Sequence, residues 1–340
     1  MIDEIVLEDA ERIVNAFAQD TFGDKSVLIT GGAGFIGSYL CDTLLQLGAN
    51  VACLDNFSTG LVENVDHLLP KKNFRLVKGD VSNFEAGERF DFVFHFASRA
   101  SPEEYQLHPV ETLLANSRGS HRMLELARKN DSAILFASSS EVYGDPQVVP
   151  TPEGYLGNAN HLGARSCYVE GKKFSEALFM AYHRKYGLDA RIVRIFNTYG
   201  PRLRGDSIYA RVLSRFILQA LRGEKLTVYG DGSQTRSFCY VTDLIHGILL
   251  ASNNTKANGE VVNLGSPFEV SILDSARKVM ETVGCESEII FSPLPEDDPR
   301  RRCPDIRKAK KLLTWEPKVS LEKGLERTIL WFRKRMTGPL

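Results

Sequence analysis

Residues 27–30, Val-Leu-Ile-Thr, run straight into Gly31-Gly32-Ala33-Gly34-Phe35-Ile36-Gly37, and a helical pattern follows. An aliphatic run that ends on glycines three apart leaves the chain few options. It must turn tightly out of a strand and pack the next helix closely on that strand, which residues lacking a Cβ permit. The N-terminus of such a helix offers free N–H groups and a partial positive charge, a natural seat for a pyrophosphate. Gly31, Gly34, Phe35, Ile36 and Gly37 are the candidate turn residues. Asp55, followed by Asn56, closes the next apolar run, Asn50–Asp55. A carboxylate there accepts from ribose hydroxyls and repels a 2′-phosphate, so strand, turn, helix and acid together point to NAD rather than NADP. Asp80 and Val81 follow the third run and are placed to reach an adenine; an aspartate after a strand is equally a turn residue or a helix cap, and both readings stand.

From Ser26 onward, short β-branched runs alternate with longer helical patterns, the signature of a parallel sheet covered on both faces. Strands are expected at Ser26–Thr30, Asn50–Asp55, Phe74–Lys78 and residues 92–96, 133–137 and 190–196, with helices at 36–47, 109–129 and 168–186. This is an α/β fold, a Rossmann-type doubly wound parallel sheet. After residue 196 the pattern turns irregular through Asn197, Gly200, Pro201 and Gly205; a helix at 210–221, a strand at Leu226–Tyr229, a helix at 240–251 and a returning strand at Val261–Leu264 follow. The expected division is an N-terminal extension (1–25), an NAD-binding Rossmann domain (26–196, with 238–265 returning to it), and a smaller substrate-binding lobe (197–237 and 266–340).

With 340 residues, 43% of them hydrophobic, the chain can bury a large core without staples. Its formal charge of -1, from 42 basic and 43 acidic residues, argues against a nucleic-acid or membrane-surface protein. No run of about 18 apolar residues occurs to span a membrane. Cys41, Cys53, Cys167, Cys239, Cys285 and Cys303 are scattered, without a C-x-x-C pair or histidines at ligand spacing, so no metal site is expected and free thiols in a reducing cytoplasm are. Asp3, Glu4, Glu8, Asp9 and Glu11 make the N-terminus unlike a secretory signal. With Ile5, Ile13, Val14 and Phe17 on a helical period, it reads instead as an amphipathic helix that packs on the body or on a partner subunit.

Tyr168 and Lys172 stand four apart on the helix expected at 168–186 and so share one face. An ammonium nearby lowers a phenol's pKa and makes it a usable general base for a hydroxyl proton during hydride transfer. The strand at 133–137 runs into Ser138-Ser139-Ser140-Glu141. His95, at the end of a central strand, reads as structural. Arg302, by spacing alone, is one solvated charge among Arg300, Arg301 and Arg307.

The glycine turn, Ser139-Ser140-Glu141-Val142-Tyr143-Gly144, the Tyr168–Lys172 pair, Arg194-Ile195-Phe196-Asn197 and Arg302-Cys303-Pro304-Asp305-Ile306 together resemble the UDP-glucuronate decarboxylases, or UDP-xylose synthases, of the extended short-chain dehydrogenase/reductase superfamily. The likeness runs from about residue 26 to 331. It implies a retained NAD, a UDP-sugar substrate, and a homodimer built on the helices at 109–129 and 168–186. It further implies that Tyr168 takes the proton of the sugar's 4-hydroxyl, that the 4-keto sugar loses carbon dioxide, and that the resulting enol is reprotonated and reduced to UDP-xylose. By the same resemblance, Ser139 hydrogen-bonds near the 4-hydroxyl, Ser140 and Glu141 manage the ring and its protons, and Arg302 faces the carboxylate or supplies a proton. Ala100, Tyr105, Arg165, Asn197 and Arg236 hold the substrate, arginine suiting a diphosphate because its planar fork donates two bonds.

Four positions depart from the family pattern: Arg99 stands for a proline, Val169 for an acid, Leu156 for a tryptophan and His161 for a proline. A sugar 4,6-dehydratase would carry an aspartate where Ser140 stands. A UDP-hexuronate 4-epimerase shares the oxidation step and is the alternative; a nucleotide-sensing protein without turnover would be favoured by loss of Tyr168 or Lys172, and both are present.

Overall fold

The computed structural model describes residues 3–18, 21–205, 211–295 and 297–337. Helix α1 (Glu4–Val14) leads into β1 (Ser26–Thr30), α2 (Phe35–Gln46), β2 (Asn50–Asp55), β3 (Phe74–Lys78) and β4 (Phe92–His95). Next come α3 (Pro102–Leu107), α4 (Pro109–Leu114), α5 (Ser120–Asn130), β5 (Ala133–Ser139), α6 (Ser166–Tyr186) and β6 (Ala190–Ile195). The remainder comprises β7 (Thr198–Tyr199), α7 (Val212–Leu221), β8 (Leu226–Tyr229), β9 (Thr235–Ser237), β10 (Cys239–Tyr240), α8 (Val241–Asn253), β11 (Val261–Leu264), β12 (Glu269–Ser271), α9 (Ile272–Val283), β13 (Ile289–Ser292), β14 (Arg301–Arg302), α10 (Arg307–Leu313) and α11 (Leu321–Thr337).

Seven strands form one sheet in the order β11-β6-β5-β4-β1-β2-β3, with every pairing parallel. Alternate residues of each strand feed opposite cores, as a pleated strand requires. Val27, Ile29, Val51, Cys53, Phe94 and Leu135 point to the face that also buries α2 and α8, while Leu28, Ala52, Leu54, Val93, Ile134 and Phe136 point to the face under α5 and α6. The expected strands are all present, and so is the return of Val261–Leu264 to the sheet, beside β6. β4 stops one residue short of Phe96, and β5 runs on through Ser139, so Ser139 is positioned by the sheet itself. The helix expected at 210–221 begins at Val212, and Ala210 lies outside the described residues. The pattern at 109–129 is α4 and α5 joined through a π turn at Ala115–Gly119.

The amphipathic N-terminal segment is a helix, and it packs on the body against α2 and α8, burying Ile5, Val6, Ala10 and Ile13. Asp3 caps it by accepting from Ile5 N at 2.9 Å. Elsewhere, short sheets β12-β9-β14 and β13-β8 join segments after residue 225, and β14 sets Arg302 against Glu141 just past the end of β5. Among the described residues no helix is long and apolar enough to cross a membrane.

Candidate active site

The C-terminal ends of β1, β2, β4, β5 and β6 open onto one cleft of about 700 Å³, within the size range of small-molecule sites and at the position where open α/β sheets bind ligands. Every residue singled out from the sequence as a site candidate lines this cleft except Tyr105. Tyr105 is fully buried behind Tyr168, the two rings stacked with centroids 5.1 Å apart, and its hydroxyl has no hydrogen-bond partner among the described residues.

At one end, Gly31 adopts φ +70 and its N–H donates to Leu54 O at 2.8 Å; a Cβ there would come within 2.9 Å of the Ala97 backbone. A Cβ on Gly37 would collide with the backbone of Gly31 and Gly32. No side chain caps the N-terminus of α2, which leaves its first amides open toward the cleft. Asp55 is buried and accepts from Ala33 N (2.9 Å) and Phe57 N (2.8 Å). Burial raises its pKa, and these two amides oppose the rise. Asp80 accepts from Ser82 N at 2.8 Å and from Asn56 Nδ2 at 2.7 Å, joining the ends of β2 and β3.

In the middle lie Tyr168 and Lys172. The Lys172 ammonium donates to Ala137 O at 2.8 Å and sits 5.6 Å from the centre of the Tyr168 ring. Burial brings its pKa down to about 7, against the pull of Glu176. Burial holds Tyr168 above its ordinary value, and what opposes this is a hydrogen bond with the Ser139 hydroxyl and the charge of Arg211. Lys172 is occupied by the β5 carbonyl and is desolvated along with the tyrosine.

Glu141 follows in a 3-10 turn, Ser140–Tyr143, started by Ser139, whose hydroxyl accepts from Glu141 N at 3.2 Å. Its carboxylate takes Arg302 Nη1 at 2.8 Å on one oxygen and Arg165 Nη1 at 3.5 Å on the other. Burial would raise its pKa, but Arg302 and Arg165 hold it down to about 2. Arg302 is therefore not a solvated charge: β14 pairs with β9, burying it to 6% exposure, whereas Arg301 stays exposed on Glu269. Nε and Nη2 of Arg302 and Nε of Arg165 are buried donors without an acceptor among the described residues, and such groups call for a ligand or water. Arg236 Nη1 donates to Thr235 O (2.8 Å) and Nη2 to Asp298 Oδ2 (2.7 Å), which uses two of the five N–H donors of its guanidinium.

His95 is structural: its two ring nitrogens meet the hydroxyls of Thr30 (2.9 Å) and Ser120 (3.0 Å), and burial together with Lys172 drops its pKa to about 3. Arg194 is likewise part of the frame, bidentate on Glu176 at 2.8 and 2.7 Å. Sequence reasoning missed Asp298, which lies in the acidic run Glu296-Asp297-Asp298. It also missed Arg215 on α7, whose guanidinium lies 4.5 Å over the ring of Tyr229, both lining the cleft. The one usable signal was Tyr229 ending β8 as Asp55 ends β2. Arg99 lines the cleft paired with the buried Glu104.

A glycine turn at the end of β1, an acid at the end of β2 and a Tyr-Lys pair beside β5 define a short-chain dehydrogenase/reductase of the extended type. The family model described as GDP-mannose 4,6 dehydratase matches residues 28–328. A UDP-glucuronic acid decarboxylase 1 of Xenopus tropicalis is 49% identical over 312 residues, covering 92% of this chain and 73% of its own. Among solved structures, a UDP-glucose 4-epimerase of Thermotoga maritima with UDP-glucose superposes at TM-score 0.85 and 33% identity, covering 92% of this chain and 99% of that one. A dTDP-glucose 4,6-dehydratase of Streptomyces venezuelae with NAD bound gives TM-score 0.83 and 28% identity, covering 91% and 97%. The chain belongs to the UDP-glucuronic acid decarboxylase family.

Proposed function

We propose that this protein decarboxylates UDP-glucuronate to UDP-xylose through a 4-keto intermediate, with NAD retained through the cycle. The observation that carries the reading is Glu141, ionised and bracketed by Arg302 and Arg165 in the same cleft as Tyr168. The glycine turn fits NAD because it leaves no room for side chains and opens the uncapped amides of α2. Gly31, Gly34, Phe35, Ile36 and Gly37 would hold the pyrophosphate, Asp55 and Asn56 the ribose, Asp80 and Val81 the adenine end. NAD supplies reversible hydride acceptance at the sugar's carbon 4.

The chain's own residues do the rest. Tyr168 Oη takes the proton of the 4-hydroxyl, held by Ser139 and backed by Tyr105. Lys172, on the same helical face, orients the nicotinamide ribose. In the 4-keto sugar the ketone lies β to the carboxylate, so the electron pair of the breaking carbon–carbon bond enters an enolate as carbon dioxide leaves. Glu141 and Ser140 keep the ring in place, and Arg302, with two donors unpaired, meets the carboxylate and then serves the proton returned to carbon 5. Ala100 and Asn197 contact the sugar, Arg165 and Arg236 the anionic groups of the substrate. In this reading residues 26–196 and 238–265 form the NAD-binding domain, and residues 197–237 and 266–340 the substrate-binding lobe.

A second copy of the chain completes the assembly we propose: Val110, Leu113 and Leu114 on α4 and Phe174 on α6 leave apolar side chains exposed on two packed helices. Six free thiols, five of them buried, fit a reducing compartment such as the cytoplasm. The test is NMR product analysis with UDP-glucuronate, alongside carbon dioxide release. UDP-xylose is expected, and Tyr168→Phe should slow its formation by about 100- to 10,000-fold. A 4-epimer with its carboxylate intact would overturn the reading in favour of an epimerase.

A further inference from the structure

Three guanidinium groups and two carboxylates form an unbroken chain along one wall of the cleft. Arg302 donates to Glu141 Oε1 (2.8 Å), and Glu141 Oε2 receives Arg165 Nη1 (3.5 Å). Arg165 Nη2 donates to Asp298 Oδ1 (2.8 Å), and Asp298 Oδ2 receives Arg236 Nη2 (2.7 Å). The three arginines are 6 to 9% exposed. Left to themselves, three cations this deeply buried would repel one another, and each carboxylate sits between two of them.

The two carboxylates are not equivalent. Glu141 touches Arg165 only at long range, whereas both bonds of Asp298 are short. Arg165, at the N-terminal end of α6, is therefore held from the Asp298 side and merely reaches toward Glu141. Arg236, on β9, is held by the same carboxylate, so one aspartate fixes the distance between an arginine of the large sheet's helices and an arginine of the small sheet. Asp298 is itself secured. Its neighbour Asp297 accepts from Asn160 Nδ2 at 3.3 Å, and Arg300 N donates to Asp145 Oδ1 at 2.9 Å, which ties this segment to the 145–165 stretch on either side.

We propose that Asp298 is a positioning residue for the reaction. By clamping one nitrogen each of Arg165 and Arg236, it sets the spacing at which the cleft meets the two anionic ends of its substrate, and it keeps Arg165 aligned on Glu141 with Nε free for the ligand. The inference rests on the proposed function in one respect, that the substrate carries two separated anionic groups.

The full-length protein, loaded with NAD, provides the test, with initial rates on UDP-glucuronate followed by both carbon dioxide and sugar product. Asp298→Asn keeps the size but leaves one acceptor oxygen and turns an NH2 toward a guanidinium. It should lower kcat/KM of the folded protein about 100-fold, the effect of a misplaced binding group, and because two buried guanidinium groups lose their balancing charge the thermal midpoint falls as well. Asp298→Glu, which keeps both acceptors, should recover part of that loss. In an Arg165→Met background, Asp298→Asn should cost about tenfold rather than 100-fold, because only the Arg236 half of the clamp remains to be lost and residues acting through one another are not additive. A merely structural aspartate would lower the midpoint but leave the kcat/KM of the folded protein near wild type. Near wild-type kcat/KM in Asp298→Asn, or full multiplication in the double variant, overturns the proposal. Asp298→Ser is read in the same way if the asparagine variant does not fold. A wild type that epimerises without releasing carbon dioxide would sink the assigned reaction alone, and the Asp298 comparison would then be made on the epimer.

Discussion

Lys172 holds its charge in a place with little to balance it. Its ammonium lies 4.7 Å over the Phe136 ring and donates only to the Ala137 carbonyl. The nearest carboxylate, Glu176, is already taken bidentately by Arg194 and by the Ser138 hydroxyl at 2.5 Å. Burial therefore brings the folded-state pKa to about 7, below the roughly 10.4 of a free lysine. Between those values the unfolded chain binds the extra proton, so this residue makes stability rise as pH rises from about 7 to about 10. Urea unfolding at pH 7, 8, 9 and 10 should show wild type gaining on Lys172→Met across that window; parallel curves for the two would contradict the burial argument. Glu141, held at about 2, stays ionised throughout and cannot be the source of any limb near neutrality.

Helix α1 is anchored by a residue whose sequence context hid it. Asp9 belongs to the acidic start of the chain, yet its side chain is fully buried, accepting from Tyr240 Oη at 2.6 Å and from Arg327 Nε at 2.9 Å. Arg327 also donates to Ile5 O at 3.0 Å, so one cluster ties α1 to the start of α8 and to α11. Asp9→Ala would leave the Tyr240 phenol without its acceptor and take one carboxylate from Arg327, which keeps Glu8 and Ile5 O, at a cost of about 2 kcal/mol. Denaturant unfolding measures it, and a loss below about 1 kcal/mol would mean that the apolar face of α1 alone secures the helix. That apolar face was legible from Ile5 and Ile13 at helical spacing. The burial of Asp9 was not, because its partners lie 231 and 318 residues away.

At the scale of the molecule, α4 and α6 pack together and leave Val110 62% and Phe174 50% exposed. Apolar side chains on two adjacent helices are costly to leave in water and suit a self-complementary interface between two copies. Leu113→Glu combined with Phe174→Glu should convert a dimer to a monomer by light scattering while leaving the chain folded. A dimer that survives both charges would place the interface elsewhere.

Strand, glycine turn and helix follow from local rules, since a β-branched run, residues without a Cβ and a 3.6-residue period act within a few residues of one another. The sequence by itself therefore determined the seven-stranded sheet, the glycine turn with Asp55, and the shared face of Tyr168 and Lys172. Only the tertiary structure decided which charges meet. Arg302 and Glu141 are 161 residues apart, and Arg165 and Asp298 are 133 apart, brought together when β14 pairs with β9 beside the end of β5. It also decided that Tyr105 stacks behind Tyr168 and that both outer nitrogens of Arg236 are engaged. Such contacts arise from packing between distant segments, and an arginine or aspartate in a charged run carries no local mark of which partner, solvent or carboxylate, it will find.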